Sequence, residues 1–163
     1  MVQCALPLPI FCALEKGFEG IVFMKFDCIN FFLTNAQNAV FLHFKHALQP
    51  YDITPVQHAV LQCLWVTDNQ TPSMLAECLH LDASTITGIL TRMEAKGLLQ
   101  RTFCETDHRR VMVQLLPASW ELKEKLGNTI EIVNHTLLED FTPEEAATLK
   151  KFLFTLEEKA KNV

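Results

Sequence analysis

Three Thr-Pro pairs, Thr54-Pro55, Thr71-Pro72 and Thr142-Pro143, fix where helices in this chain can begin. A threonine hydroxyl accepts from the free N–H groups of a first helical turn. Proline suits the first helical position because the N–H it lacks would have no partner there. Gln57 and Glu145 stand three residues after their threonines, so two of the three starts carry a reciprocal capping box. Helices are therefore predicted from Pro55 to Trp65, from Pro72 to Leu79 and from Pro143 onward.

The remaining elements follow from periodicity. Phe26 to Leu48 is apolar at many positions, free of Gly and Pro, and ends before Pro50, which predicts one long helix. A second long helix is predicted from Pro117 to about Asp140. In "STITGILTRMEAKG", Ile86, Ile89, Leu90 and Met93 form a single apolar stripe, and Gly97 supplies a left-handed stop. Leu149, Phe152, Leu153 and Leu156 repeat such a stripe near the C-terminus. Between these helices the period changes. "LLQRTFC" and "VMVQLL" are short apolar runs separated by the polar "ETDHRR", which reads as a hairpin. Two short helices, the second running into a hairpin, give a mainly α fold with a small β-hairpin wing. This is a winged helix-turn-helix flanked by N- and C-terminal dimerisation helices.

Net charge argues superficially against a polyanion partner, since the 163 residues sum to -5. The charge is polarised, however. From Ser84 to Val113, Arg92, Lys96, Arg101, Arg109 and Arg110 stand against Glu94, Glu105 and Asp107, a local +2 that leaves -7 for the rest. The face opposite the apolar stripe carries Ser84, Thr85, Thr87, Gly88, Thr91 and Arg92. Thr and Gly are weak helix formers that a merely solvated face has no reason to prefer. Small hydrogen-bonding side chains instead let a helix approach base edges in the major groove of DNA. At the hairpin tip Arg109 suits the negative potential of a minor groove and Arg110 a phosphate, with Asp107 expected to hold Arg109 through a salt bridge.

These residues resemble the MarR family of bacterial and archaeal transcription regulators. Its Ser-x-x-Thr recognition helix, "LxxxGL" and Asp-x-Arg wing are matched by Ser84, Thr87, Met93, Gly97, Leu98, Asp107 and Arg109. The resemblance extends over roughly residues 26–160. Gly88 departs from it, standing where many members carry a basic or bulky residue, and so does the junction Leu116-Pro117-Ala118-Ser119. The resemblance implies an obligate homodimer with its wings astride a pseudo-palindromic operator. It also implies a repressor released by a small aromatic or phenolic effector, in a pocket near His46, Tyr51 and Trp65. The organisation expected is an apolar extension over 1–23, a dimerisation helix over 24–50, a DNA-binding lobe over 51–117 and C-terminal dimerisation helices over 118–163.

Other readings remain beside this one. Cys28 is a redox candidate, as in peroxide-sensing relatives, although alignment on Ile53-Thr54-Pro55 puts their sensing position at Asn30. His43 and His46 share a helix face but make only two ligands, so no metal and no cofactor is expected. No Gly-rich phosphate loop, HExxH or nucleophile elbow marks an enzyme. A dimeric winged-helix interaction protein without DNA binding is the remaining alternative. Six cysteines without a CxxC pair read as reduced, mostly buried thiols of a cytoplasmic protein, and no apolar run is long enough to span a membrane. Residues 1–23 lack a basic leader segment. They read equally as an upstream extension preceding a start at Met24 or as an apolar arm on a dimer.

Overall fold

The computed structural model describes residues 15–16, 22–23, 28–104, 107 and 109–161. The expected role of residues 1–23, the thiols Cys4 and Cys12, and the wing residues Glu105 and His108 lie outside these. Residues 1–39 and 40–163 form two units, taken separately below.

In the first unit β1 (Glu15–Lys16) pairs antiparallel with β2 (Val22–Phe23), a two-residue ladder that the sequence reading did not anticipate. Helix α1 runs Ile29–Leu48, starting three residues later than predicted because the Cys28 carbonyl receives the amides of Phe31 and Phe32.

The second unit is built on the predicted caps. In α2 (Pro55–Val66) the Thr54 hydroxyl accepts from the Gln57 amide at 3.2 Å, and the Gln57 side chain accepts from the Thr54 amide at 3.1 Å. Thr71 caps α3 (Pro72–Cys78) at the Met74 amide. Thr142 and Glu145 form the second capping box, ahead of α6 (Pro143–Lys161). Helix α4 covers Ala83–Ala95, ends at Gly97 with φ +69°, and leads into β3 (Leu99–Phe103) and β4 (Val111–Leu115), then α5 (Pro117–Leu138).

The core sits inside the helix-turn-helix. Ile86, Ile89, Leu90 and Met93, the predicted stripe, are all buried with Leu61 and Leu64 of α2, Leu75 of α3, Leu99 of β3 and Val113 of β4. Strands β3 and β4 pair antiparallel from Leu99↔Leu115 to Phe103↔Val111. Their base is held by a third segment the sequence did not reveal. Gln70 bridges Val113, whose amide donates to the Gln70 carbonyl at 2.8 Å, and the Asp68 carboxylate accepts from the Leu115 amide at 3.1 Å. Gln70 itself is buried, and its side-chain amide donates to the carbonyls of Cys63 and Thr67 at 3.0 and 2.6 Å, so its polar group is satisfied.

Candidate nucleic-acid interface

Helix α4 begins on a residue that sequence reasoning passed over. The Asp82 carboxylate accepts from the backbone amides of Ser84 and Thr85 at 2.9 and 2.8 Å, and from both hydroxyls as well. Those bonds hold its carboxyl far below the ordinary value, the Ser84 and Thr85 hydroxyls contributing most. The signal was available, since an Asp just ahead of an amphipathic run is a strong N-cap. Ser84 and Thr85, expected on the contact face, are exposed there, but their hydroxyl protons serve the cap.

Further along, Thr87 donates its hydroxyl to the Ala83 carbonyl at 2.7 Å and Thr91 to the Thr87 carbonyl at 2.9 Å. With its proton committed, Thr87 has oxygen lone pairs and a methyl group left for the outer face, whereas the Thr91 oxygen also accepts from Arg101. Gly88 lies between them. A Cβ there would meet only the tip of Arg92, at 3.9 and 4.0 Å, so the guanidinium is folded back over the bare backbone. Gly88→Ala is therefore expected to raise stability by about 0.5–1 kcal/mol through helix propensity alone, read as an increase in the urea midpoint at unchanged m.

The helix is clamped to its neighbours by two ion pairs. Arg101 on β3 donates to Glu94 through its backbone amide, Nε and Nη2 at 3.0, 3.0 and 2.6 Å, and reaches Thr91 at 3.2 Å. The Arg101 bonds hold the Glu94 carboxyl below its ordinary value. Lys96 pairs with the Asp52 carboxylate at 2.9 Å and with its carbonyl. Residue separations of 7 and 44 leave no local pattern from which either clamp is legible. Of the five basic residues between Ser84 and Val113, Lys96 and Arg101 are thus paired, and among the described residues no ion pair engages Arg92, Arg109 or Arg110.

Asp82 and Glu94 also set a pH dependence. Their folded carboxyls titrate below the ordinary values of 3.8 and 4.5, so the stability they contribute is complete above that range and is lost as pH falls through it. The doubly neutral variant Asp82→Asn/Glu94→Gln should therefore lose less stability than the parent between pH 7 and pH 3, measured as the change in urea midpoint.

At the wing the bonds of Asp107 go to the main chain. The Asp107 carboxylate accepts from the backbone amide of Arg109 at 3.1 Å, and the Asp107 carbonyl accepts from the Arg110 amide at 2.9 Å. Asp107 thus shapes an Asx-type turn, and among the described residues no ion pair joins it to the Arg109 guanidinium. Arg109 and Arg110 are both exposed.

Comparison with known proteins agrees with this geometry. The MarR family model matches residues 53–111, which contain the α2–α4 helices, β3 and the turn of the hairpin. The organic hydroperoxide resistance transcriptional regulator of Bacillus subtilis is 35% identical over 114 residues, covering 69% of this chain and 76% of that protein. A probable transcriptional regulator from Pseudomonas aeruginosa superposes with a TM-score of 0.75 at 30% identity, over 80% of this chain and 97% of the other. A mutant MarR from E. coli, complexed with operator DNA, gives 0.74 at 25% identity, over 78% and 92%. The chain belongs to the MarR family.

As a MarR-family member it is a winged helix-turn-helix transcriptional regulator and not an enzyme. The three effector-pocket candidates have separate environments. His46 is exposed in a shallow depression with Lys45, Gln49, Asp52, Ile53 and Thr54. Tyr51 hydroxyl bonds Thr129 Oγ1 at 3.0 Å, and because the Thr129 proton goes to the Lys125 carbonyl, Tyr51 is the donor. Trp65 is buried edge-to-face against His58, whose pKa burial lowers, and its indole N–H has no hydrogen-bond partner among the described residues. A cleft of about 450 Å³ lies elsewhere, along α4, with an apolar floor of Val56, Leu81 and Ile89 and a rim including Arg92 and Lys96.

His43 and His46 are both exposed, and among the described residues no three His, Cys, Asp or Glu side chains gather as a metal site needs. The cysteines overturn the expectation of buried thiols. Cys28 and Cys78 are exposed, and Cys63 and Cys104 only half-buried, because each helical cysteine lies at the margin of its apolar stripe. Among the described residues no helix is long and apolar enough to cross a membrane.

Proposed function

We propose that this MarR-family regulator binds a pseudo-palindromic operator as a homodimer, with α4 in the major groove and Arg109 in the adjoining minor groove. The observation that carries this is the outer face of α4. Thr87 has an acceptor oxygen and a methyl left for the outer face, Gly88 leaves the backbone bare, and of the basic residues between Ser84 and Val113 Arg92 and the two wing arginines are in no ion pair among the described residues. Such a face reads amino-bearing base edges and thymine methyls, while the arginines supply backbone and minor-groove attraction. Asp107 shapes the turn that presents Arg109 and Arg110.

Dimerisation is supported by α6, which has no buried residue although Phe152, Leu153 and Phe154 are 64%, 46% and 63% exposed. An apolar stripe of this kind needs a partner, and a second copy of residues 24–50 and 118–163 supplies one. The reading is tested by gel shift on the chain's own promoter over a salt series. A shift whose affinity falls steeply with salt supports it; no shift at low salt leaves a dimeric interaction protein instead.

Repression relieved by an effector is the finer reading. The cleft with Arg92 and Lys96 at its rim suits a small aromatic acid better than the surroundings of His46, Tyr51 and Trp65 do. Benzoate should bind there and release the operator; an unchanged gel shift at saturating benzoate overturns that assignment. A second reading, peroxide response through the exposed Cys28, is favoured by similarity to the hydroperoxide resistance regulator. Retention of operator release by hydroperoxide in Cys28→Ser would exclude it.

A further inference from the structure

We propose that Cys63 and Cys78 are a reversible dithiol site, closed to a disulfide by exchange with a small external disulfide, and that closure loosens the operator grip of the dimer. The second half of this statement rests on the operator reading above.

The two thiols belong to different helices, 15 residues apart, yet their sulfurs stand 3.2 Å from each other. A disulfide requires about 2.05 Å, so closure asks for a contraction of about 1 Å. Access is asymmetric: Cys78, the last residue of α3, is exposed, and Cys63 is half-buried in α2. Burial and the adjacent Cys78 push the Cys63 thiol up to about 11, which makes it a slow first attacker.

The chemistry follows that asymmetry. The Cys78 thiolate attacks one sulfur of the external disulfide, a mixed disulfide forms, and one external thiolate departs and takes up the proton that Cys78 released. Cys63 Sγ then attacks Cys78 Sγ. The bond between them forms, and the second external thiol leaves with the Cys63 proton. Two protein thiols lose two electrons, and one external disulfide becomes two thiols.

The contraction falls on α3. Around Cys63, α2 is anchored by the fully buried Val60, Leu61 and Leu64, and the Cys63 carbonyl is held by Thr67 and Gln70. By contrast α3 has seven residues, and only positions 79–81, including His80 at φ +51°, separate Cys78 from the Asp82 cap of the recognition helix. Drawing Cys78 toward α2 therefore displaces the N-terminal end of α4.

Oxidised glutathione, applied to the full-length protein and followed by intact mass and peptide mapping, tests the first half. The expected results are a Cys63–Cys78 cross-linked peptide, loss of two thiols, and full reversal by reductant. Cys63→Ser should instead retain a glutathione adduct on Cys78. A wild-type protein that keeps the adduct, or cross-links through Cys28 or Cys104, overturns the site, and this readout needs no variant to fold.

For the second half, operator affinity of the reduced and closed forms should differ on the order of tenfold, with Cys28→Ser responding like wild type. A mapped disulfide with equal affinity overturns the switch. Failure of the reduced form to bind DNA at all would fault the operator reading rather than the thiol site.

Discussion

Arg109→Ala should weaken operator binding by roughly 1 kcal/mol per wing, and therefore about thirtyfold in a dimer that inserts two wings. The guanidinium is exposed at the hairpin tip, its backbone amide is fixed by Asp107, and no carboxylate among the described residues neutralises it. Its full charge is thus available to the nucleic acid. Titrations across a salt series should show the slope of log affinity against log salt reduced by about two, one cation lost per wing. Arg109→Lys keeps the charge but not the planar fork, so the slope should recover while preference for a narrow, A/T-rich minor groove should not. An unchanged slope for Arg109→Ala would remove the wing from the interface.

The largest effect on stability is expected from Leu90→Ala. Leu90 is fully buried at the centre of the stripe that holds α4 against α2, α3 and the hairpin. Truncation at such a site costs about 3–5 kcal/mol, because a cavity adds to the lost transfer energy. Against a total of about 5–15 kcal/mol that is a large share, and a fall of roughly 10 °C or more in the thermal midpoint should follow. The comparison must be made at fixed protein concentration, since dimerisation itself raises the midpoint. Leu90→Met, which keeps the volume, should cost less than about 1.5 kcal/mol. Because Leu90 faces away from the outer surface of α4, folded Leu90→Met should bind DNA as the parent does.

The two variants probe the parts of the molecule that differ most in how legible they are from sequence. Leu90 was placed by periodicity, and the helices around it by Thr54, Thr71 and Thr142, because capping and amphipathic spacing act over three or four residues. The hairpin was legible for the same reason, its alternation ending at "ETDHRR". What escaped was contact between distant segments. Glu94–Arg101, Lys96–Asp52 and the pairing of Gln70 with Val113 depend on how elements dock, and a count of local charges does not reveal that Lys96 and Arg101 are the paired ones. Asp107 was recognised as a wing residue, yet its bond goes to the main chain. The thiol pair was invisible in the same way, since a separation of 15 positions gives no hint that the two sulfurs meet.

The hairpin also works as a ruler. Each strand has five residues, and its base is pinned to Gln70 and Asp68 beside the helices. Five extended residues span about 17 Å, close to half of the roughly 34 Å helical repeat of DNA, which is the spacing between a major groove and the minor groove beside it. Adding one residue to each strand would lengthen the reach by about 3.4 Å, and, since the base is pinned, would carry Arg109 past the groove it is proposed to enter.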